Sequence, residues 1–183
     1  MYDKQKANHI IRRNHRLYIA ESVYFITSVT AQRNPIFQDH ETVELLKNTI
    51  RRVKQIYPFL MKGYVFLPDH FHLLIKPNQN ITISQIMHSF KRNFTLNYKK
   101  YKGIPSSTMI SLWQYGSYDH VVRDENDYNN HLNYIHYNPV KHGYVTKPED
   151  FVYTSYKTYV TKGWYEIGWG YKEPDSLTDM NFE

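Results

Sequence analysis

Two runs of strand-forming residues, 59–67 and 70–76, meet at Pro68-Asp69, and this pair constrains the fold more than any other feature of the chain. Phe71, Leu73 and Ile75 alternate with His70, His72 and Leu74, the period of a half-buried strand. The break at Pro68-Asp69 turns the two runs into a hairpin. Side chains two apart on a strand leave the same face, so His70 and His72 project together, opposite Phe71, Leu73 and Ile75. Two imidazoles on a rigid strand supply two-thirds of a metal site that still needs an oxygen ligand. The same pattern would equally suit two histidines on a solvated strand face.

The remaining elements alternate around this hairpin. Tyr24 to Thr30 is β-branched and aromatic and ends before Arg33-Asn34-Pro35, which predicts a strand. Asp39 precedes a helix with Glu41 and Glu44 in its first turn; Val43, Leu46, Ile50, Val53 and Tyr57 keep helical spacing, and Pro58 stops it. A second amphipathic helix carries Ile83, Ile86, Met87, Phe90, Phe94, Tyr98 and Tyr101 on one stripe. Lys91, Arg92 and Lys99 fall off that stripe, toward solvent or phosphate. Residues 103–111 read as a loop, Tyr118 to Arg123 as a short strand, and Asp124 as the cap of a third helix ending near Pro139. The order β-α-β-β-α-β-α predicts an α+β fold: a ferredoxin-like antiparallel sheet with helices packed on one face, plus an aromatic-rich C-terminal extension. One domain is expected over residues 18–147, preceded by a basic arm (1–17) and followed by the extension (148–183) with its acidic tail.

On the third helix, Tyr128, Leu132 and Ile135 form the expected buried stripe. Asp127, His131, Tyr134 and Asn138 form a second stripe about 90° around. Tyr134 and Asn138 are therefore i,i+4 neighbours, a phenol beside an amide oxygen, unless Pro139 rotates Asn138 away. Tyr137 lies roughly opposite Tyr128 and is the poorer candidate.

Charge points to a polyanionic partner. Residues 163–183 carry Glu166, Glu173, Asp175, Asp179 and Glu183 against Lys172 alone, yet the chain as a whole is +6, so the basic excess lies before them. Cations cluster at Arg12, Arg13 and Arg16, at Arg51, Arg52 and Lys54, at Lys91 and Arg92, and at Lys99, Lys100 and Lys102. With 18 tyrosines, the chain offers both phosphate-binding cations and rings for unstacked bases. The absence of cysteine excludes disulfides, zinc-thiolate sites, thiol nucleophiles and iron–sulfur clusters. The N-terminus lacks the apolar run of a signal peptide, and no stretch approaches a membrane span, so a soluble cytoplasmic protein is expected.

Leu67-Pro68-Asp69-His70-Phe71-His72, Trp113-Gln114 with Asp119-His120-Val121-Val122-Arg123, and Tyr134-Ile135-His136-Tyr137-Asn138-Pro139-Val140-Lys141-His142-Gly143-Tyr144-Val145 together resemble the single-tyrosine HUH transposases, in particular their REP-associated tyrosine transposase branch. The resemblance spans roughly residues 18–160. It implies His70 and His72 as metal ligands, Asn138 as third ligand and Tyr134 as nucleophile. The implied activity is cutting and strand transfer at single-stranded, hairpin-forming palindromic repeats, using Mg²⁺ or Mn²⁺ and a 5′-phosphotyrosine intermediate. It implies a monomer or homodimer, and no role for residues 163–183. His120 and His131 would serve as proton shuttles or a further ligand, or be structural. Arg12, Arg13, Arg16, Lys91, Arg92 and Arg123 are the expected DNA contacts.

No Gly-rich phosphate loop is present, consistent with chemistry that needs no nucleotide cofactor. Two other readings compete: a catalytically silent hairpin-binding protein, and a two-histidine phosphoesterase. The latter needs two His-x-Ser/Thr motifs, and only His40-Glu41-Thr42 fits.

Overall fold

The computed structural model describes residues 22–178 and Met180. The basic arm, with Arg12, Arg13 and Arg16, lies outside the described residues, as do Asp179 and Glu183 of the acidic tail. The elements are β1 (Tyr24–Val29), α1 (His40–Ile56), β2 (Phe59–Phe66), β3 (His70–Pro77), α2 (Ile83–Tyr101), β4 (Tyr118–Val121), α3 (Glu125–Lys141) and α4 (Tyr156–Thr161). The strands form one sheet in the order β2-β3-β1-β4, every neighbouring pair antiparallel.

Strand alternation sorts the core into two layers. Tyr24 and Ile26 of β1, with Phe71, Leu73 and Ile75 of β3, face α1 and α2. There they meet Val43, Leu46 and Val53 of α1 and Ile86, Phe90 and Phe94 of α2. Phe25, Val65 and Leu74 point the other way, against Leu132 and Ile135 of α3. The expected helical face is the one covered by α1 and α2. The third helix adds a layer on the opposite face, so β3 is buried on both sides rather than half-buried. Its alternation reflects two different coverings, not core and water.

Each of the three long helices starts where its capping chemistry lies. Asp39 accepts from the Glu41 N–H and the Thr42 hydroxyl, both at 3.0 Å. It also takes Tyr101 Oη and Lys102 Nζ from the end of α2, and these contacts hold its carboxyl down at about 2. Thr82 and Gln85 form a reciprocal capping box on α2, and Asp124 caps α3. Pro139 does not end α3, which runs on to Lys141. A proline here forfeits only one backbone bond near the C-terminus, and the His142 N–H still donates to Asn138 O at 3.0 Å. Asn138 thus stays on the buried face.

α3 approaches the sheet at Gly63, beside a register shift in β2. A Cβ at that position would stand 2.9 Å from Leu132 Cδ1, so a larger residue there would force the Leu132 side chain to shift.

The C-terminal extension packs on α3 and the adjoining edge of β2. His136 is fully buried; its Nδ1 is hydrogen-bonded to Tyr165 Oη and its Nε2 to Ser155 Oγ, both at 2.7 Å. Burial pushes this imidazole down to about 3, so it folds in neutral form. Its folded value lies below its unfolded value, so its contribution is complete above about 6.5 and shrinks as pH falls toward 3. The expected loss is about 1.4 kcal/mol per pH unit within that window. Denaturant midpoints taken from neutral pH down to about pH 4.5 should fall more steeply for the wild type than for His136→Gln. Equal slopes would show that His136 does not set the acid limit.

Candidate active site

β3 holds both histidines rigidly on the α3 face. His70 Nδ1–H donates to Asp69 Oδ1 at 2.6 Å, and Asp69 also receives Arg33 Nη1 at 3.0 Å. Burial works to raise the Asp69 pKa, but these two partners outweigh it and leave it lowered. His72 Nδ1 is hydrogen-bonded to Thr27 Oγ1 at 2.8 Å, across the β1–β3 register that pairs Thr27 with His72. With Nδ1 engaged on each ring, Nε2 is the nitrogen that each presents to the interior. Such anchoring fixes tautomer and orientation in metal-ligating histidines. His70 is 1% exposed and His72 is 0% exposed, which overturns the solvated-face alternative.

α3 lays three residues over this pair. Tyr134, buried, meets His72 edge-on with ring centroids 5.3 Å apart. His142, at the C-cap, meets His70 edge-on at 5.2 Å. Asn138 lies one turn from each, between them. Both its amide atoms are buried, and neither has a hydrogen-bond partner among the described residues. Leaving a buried amide atom unbonded costs about 1–3 kcal/mol. A side chain held this way fits a ligand role, with Oδ1 as the oxygen donor that two imidazoles require. His142 was not singled out in the sequence, although it continues the i,i+4 series of Tyr134 and Asn138.

A second cluster adjoins the first. His131 lies against Phe25 at 4.7 Å, and Phe25 stacks on His72 at 5.3 Å. His120 stacks on His131 at 4.7 Å, and its Nε2 donates to Asp127 Oδ2 at 2.8 Å. His131 Nδ1 donates to Asp127 O at 2.7 Å. Burial works to raise the Asp127 pKa, but hydrogen bonds from His120 and from the Arg123 backbone and side chain hold it at about 2. Burial lowers the His131 pKa, against the pull of Asp127. One ligand atom from each of His120, Asp127 and His131 lies within 4.8 Å of the others, so this trio could also hold a metal. The Arg123 guanidinium shares the carboxylate and competes with a cation there.

The structure thus gathers His70, His72, Asn138, Tyr134, His120 and His131 on one side of the sheet. Lys91 and Arg92 lie on the other side, on α2. Lys91 Nζ donates to Gly116 O and sits over the Trp113 ring, which makes it a tether for the segment before β4. Lys99, expected to face solvent or phosphate, is buried and donates to Ser106 O and Thr108 O, both at 2.6 Å. Arg92 remains exposed. His40 is hydrogen-bonded to Tyr153 Oη at the start of α1, on the α1/α2 side of the sheet. Tyr137 turns toward the extension, where a Cβ built at Gly170 would lie 3.7 Å from its ring. No helix among the described residues is long and apolar enough to cross a membrane.

Comparison with known proteins places this geometry in context. Residues 19–138 match the sequence profile of the IS200-like transposases. A Haemophilus influenzae protein assigned to the REP-associated tyrosine transposases is 32% identical over 81% of this chain and 87% of its own length. The REP-associated tyrosine transposase of Escherichia coli is 28% identical over 84% of this chain and 88% of its own. Among solved structures, a REP-associated tyrosine transposase bound to a REP hairpin superposes with a TM-score of 0.73 at 27% identity, covering 88% of this chain and 93% of that one.

Proposed function

The chain belongs to the IS200-like transposases, in their REP-associated tyrosine branch, and from that premise we propose that it nicks and rejoins single-stranded DNA at hairpin-forming palindromic repeats. One observation carries the reading: Tyr134 lies against His72 and one helical turn before Asn138, whose buried amide fits a ligand role.

In the proposed reaction Tyr134 Oη attacks the scissile phosphorus. The O–P bond to the 3′-oxygen breaks, and a 5′-phosphotyrosine forms. One phosphodiester replaces another, so a 3′-hydroxyl can reverse the step, and strand transfer needs no nucleotide cofactor. A divalent cation held by His70, His72 and Asn138, Mg²⁺ or Mn²⁺, would polarise a non-bridging phosphate oxygen and offset the charge that builds on it. A free phenol has a pKa near 10, so Tyr134 needs a base. His131, one turn earlier on the same face and with its pKa lowered by burial, is the residue we assign to take that proton. Asp127 and His120 orient it.

The hairpin seen with the solved relative is the substrate class proposed here. Mapping the residue that becomes covalently attached to such DNA tests the reading. A protein that binds hairpins with no adduct under any divalent ion would be a silent binder instead.

Arg92 provides a separate check on the DNA interface. If it contacts a phosphate, Arg92→Ala should flatten the salt dependence of binding by roughly one unit of slope. An unchanged slope would place it in bulk solvent.

A further inference from the structure

A groove runs between α2 and the segment leading into β4. It encloses about 680 Å³ and is lined by His88, Lys91, Arg92, Trp113, Tyr115 and Gly116 among others, with no aspartate or glutamate in its wall. Tyr115 is fully exposed, a costly placement for a large ring on a bare surface. Its backbone is nonetheless pinned on both sides. The Gln114 N–H donates to Val29 O at 2.9 Å, Trp113 Nε1 donates to Thr95 Oγ1 at 3.2 Å, and Lys91 Nζ holds Gly116 O. An exposed ring on an anchored backbone, beside cations, is the arrangement by which proteins stack unpaired bases.

The groove lies within reach of the catalytic face. β4 is the edge strand of the sheet, and Tyr118 at its start turns its ring edge toward Phe25 at 6.4 Å, the ring on which His72 stacks. Tyr118 is itself half-exposed. Only Gly116 and Ser117 separate it from Tyr115, through a bend, so the two backbones lie at most about 11 Å apart. A single strand leaving the catalytic face around the β4 edge therefore meets two tyrosine rings and then Arg92. A base-paired stem could not use Tyr115 in this way, because its bases are already stacked on one another.

We propose that this groove is a stacking subsite for one unpaired base on the single-stranded flank of the hairpin, with Tyr115 as platform and Arg92 at the neighbouring phosphate. The inference rests on the DNA-processing function proposed above and adds a specificity for unpaired flank over stem.

The test uses the full chain and a DNA stem-loop carrying an oligothymidylate flank, with one fluorescent adenine analogue moved along that flank. Stacking quenches the analogue, so the wild type should quench it at one position. Tyr115→Ala should remove that quench and weaken binding of the flanked stem-loop roughly tenfold or more. Tyr115→Trp should keep both, and the bare stem-loop should bind all three proteins alike. Undiminished quenching and affinity in Tyr115→Ala would overturn the subsite. So would an equal loss on the bare stem-loop, which would put the stem in the groove. Position-specific quenching by a wild type that never forms an adduct would keep the subsite and remove the proposed catalysis.

Discussion

Tyr134→Phe should abolish the covalent protein–DNA adduct while folding and hairpin binding persist. The substitution removes one oxygen and leaves the buried ring against Phe25 and His72. Affinity rests mainly on cation–phosphate contacts, which the substitution does not touch. The neighbouring tyrosines supply the control. Tyr137 is directed to the extension, and its pKa is raised by desolvation and by Glu173. Tyr128 shares a hydrogen bond with Tyr159, and burial raises its pKa strongly. Tyr134 is the one of the three whose ring meets His72. Tyr137→Phe should therefore retain the adduct. Peptide mapping of trapped protein–DNA complex decides the matter, and DNA found at Tyr137 would sink the assignment.

The second large effect is expected at the histidines. His70→Ala or His72→Ala should lower cutting by at least a hundredfold or so, since even the outer partners of metal ligands are worth about 10–100-fold. Hairpin affinity should stay nearly unchanged. Chelator should reproduce the loss in the wild type. Added Mn²⁺ should restore activity at lower concentration than Mg²⁺, because imidazole donors favour the transition ion. Melting curves check that each variant is folded. A variant that is folded but loses binding as much as cleavage would place the histidines in the DNA interface instead.

Much of this was legible in the sequence, and the failures have physical causes. The strands, the three long helices, the caps of the first and third, and the shared face of His70 and His72 follow from period and from turn chemistry; the Thr82–Gln85 box of the second went unread. The position of α3 follows from neither. Leu132 and Ile135 on one stripe and His131 and Tyr134 on the other are both buried on the sheet, while His136 is buried under the extension, so no single apolar face marks which side meets what. β3 misleads in the same way. Its alternate residues are histidines satisfied by Asp69 and Thr27, and they imitate the pattern of a solvated face. Lys91 and Lys99 read as free cations, yet each closes backbone carbonyls of a loop that is distant in sequence or not helical. Many tyrosines proved to be interior rather than base-stacking. Tyr156, Tyr159 and Tyr165 fill the layer between α3 and the extension, where hydroxyls answer buried polar groups such as His136 and the Lys62 carbonyl.

The histidines belong to β3, and the tyrosine and amide to α3, with more than fifty residues of chain between His72 and Asn138. No short segment of the chain contains the whole proposed centre. A nascent or partly unfolded molecule carries only an ordinary phenol and two ordinary imidazoles, none able to break a phosphodiester. Packing α3 onto the sheet is what brings them together, so the DNA cutting proposed above would become possible only with completion of the fold. The architecture would then act as its own safety catch, because no partly folded molecule could nick a strand.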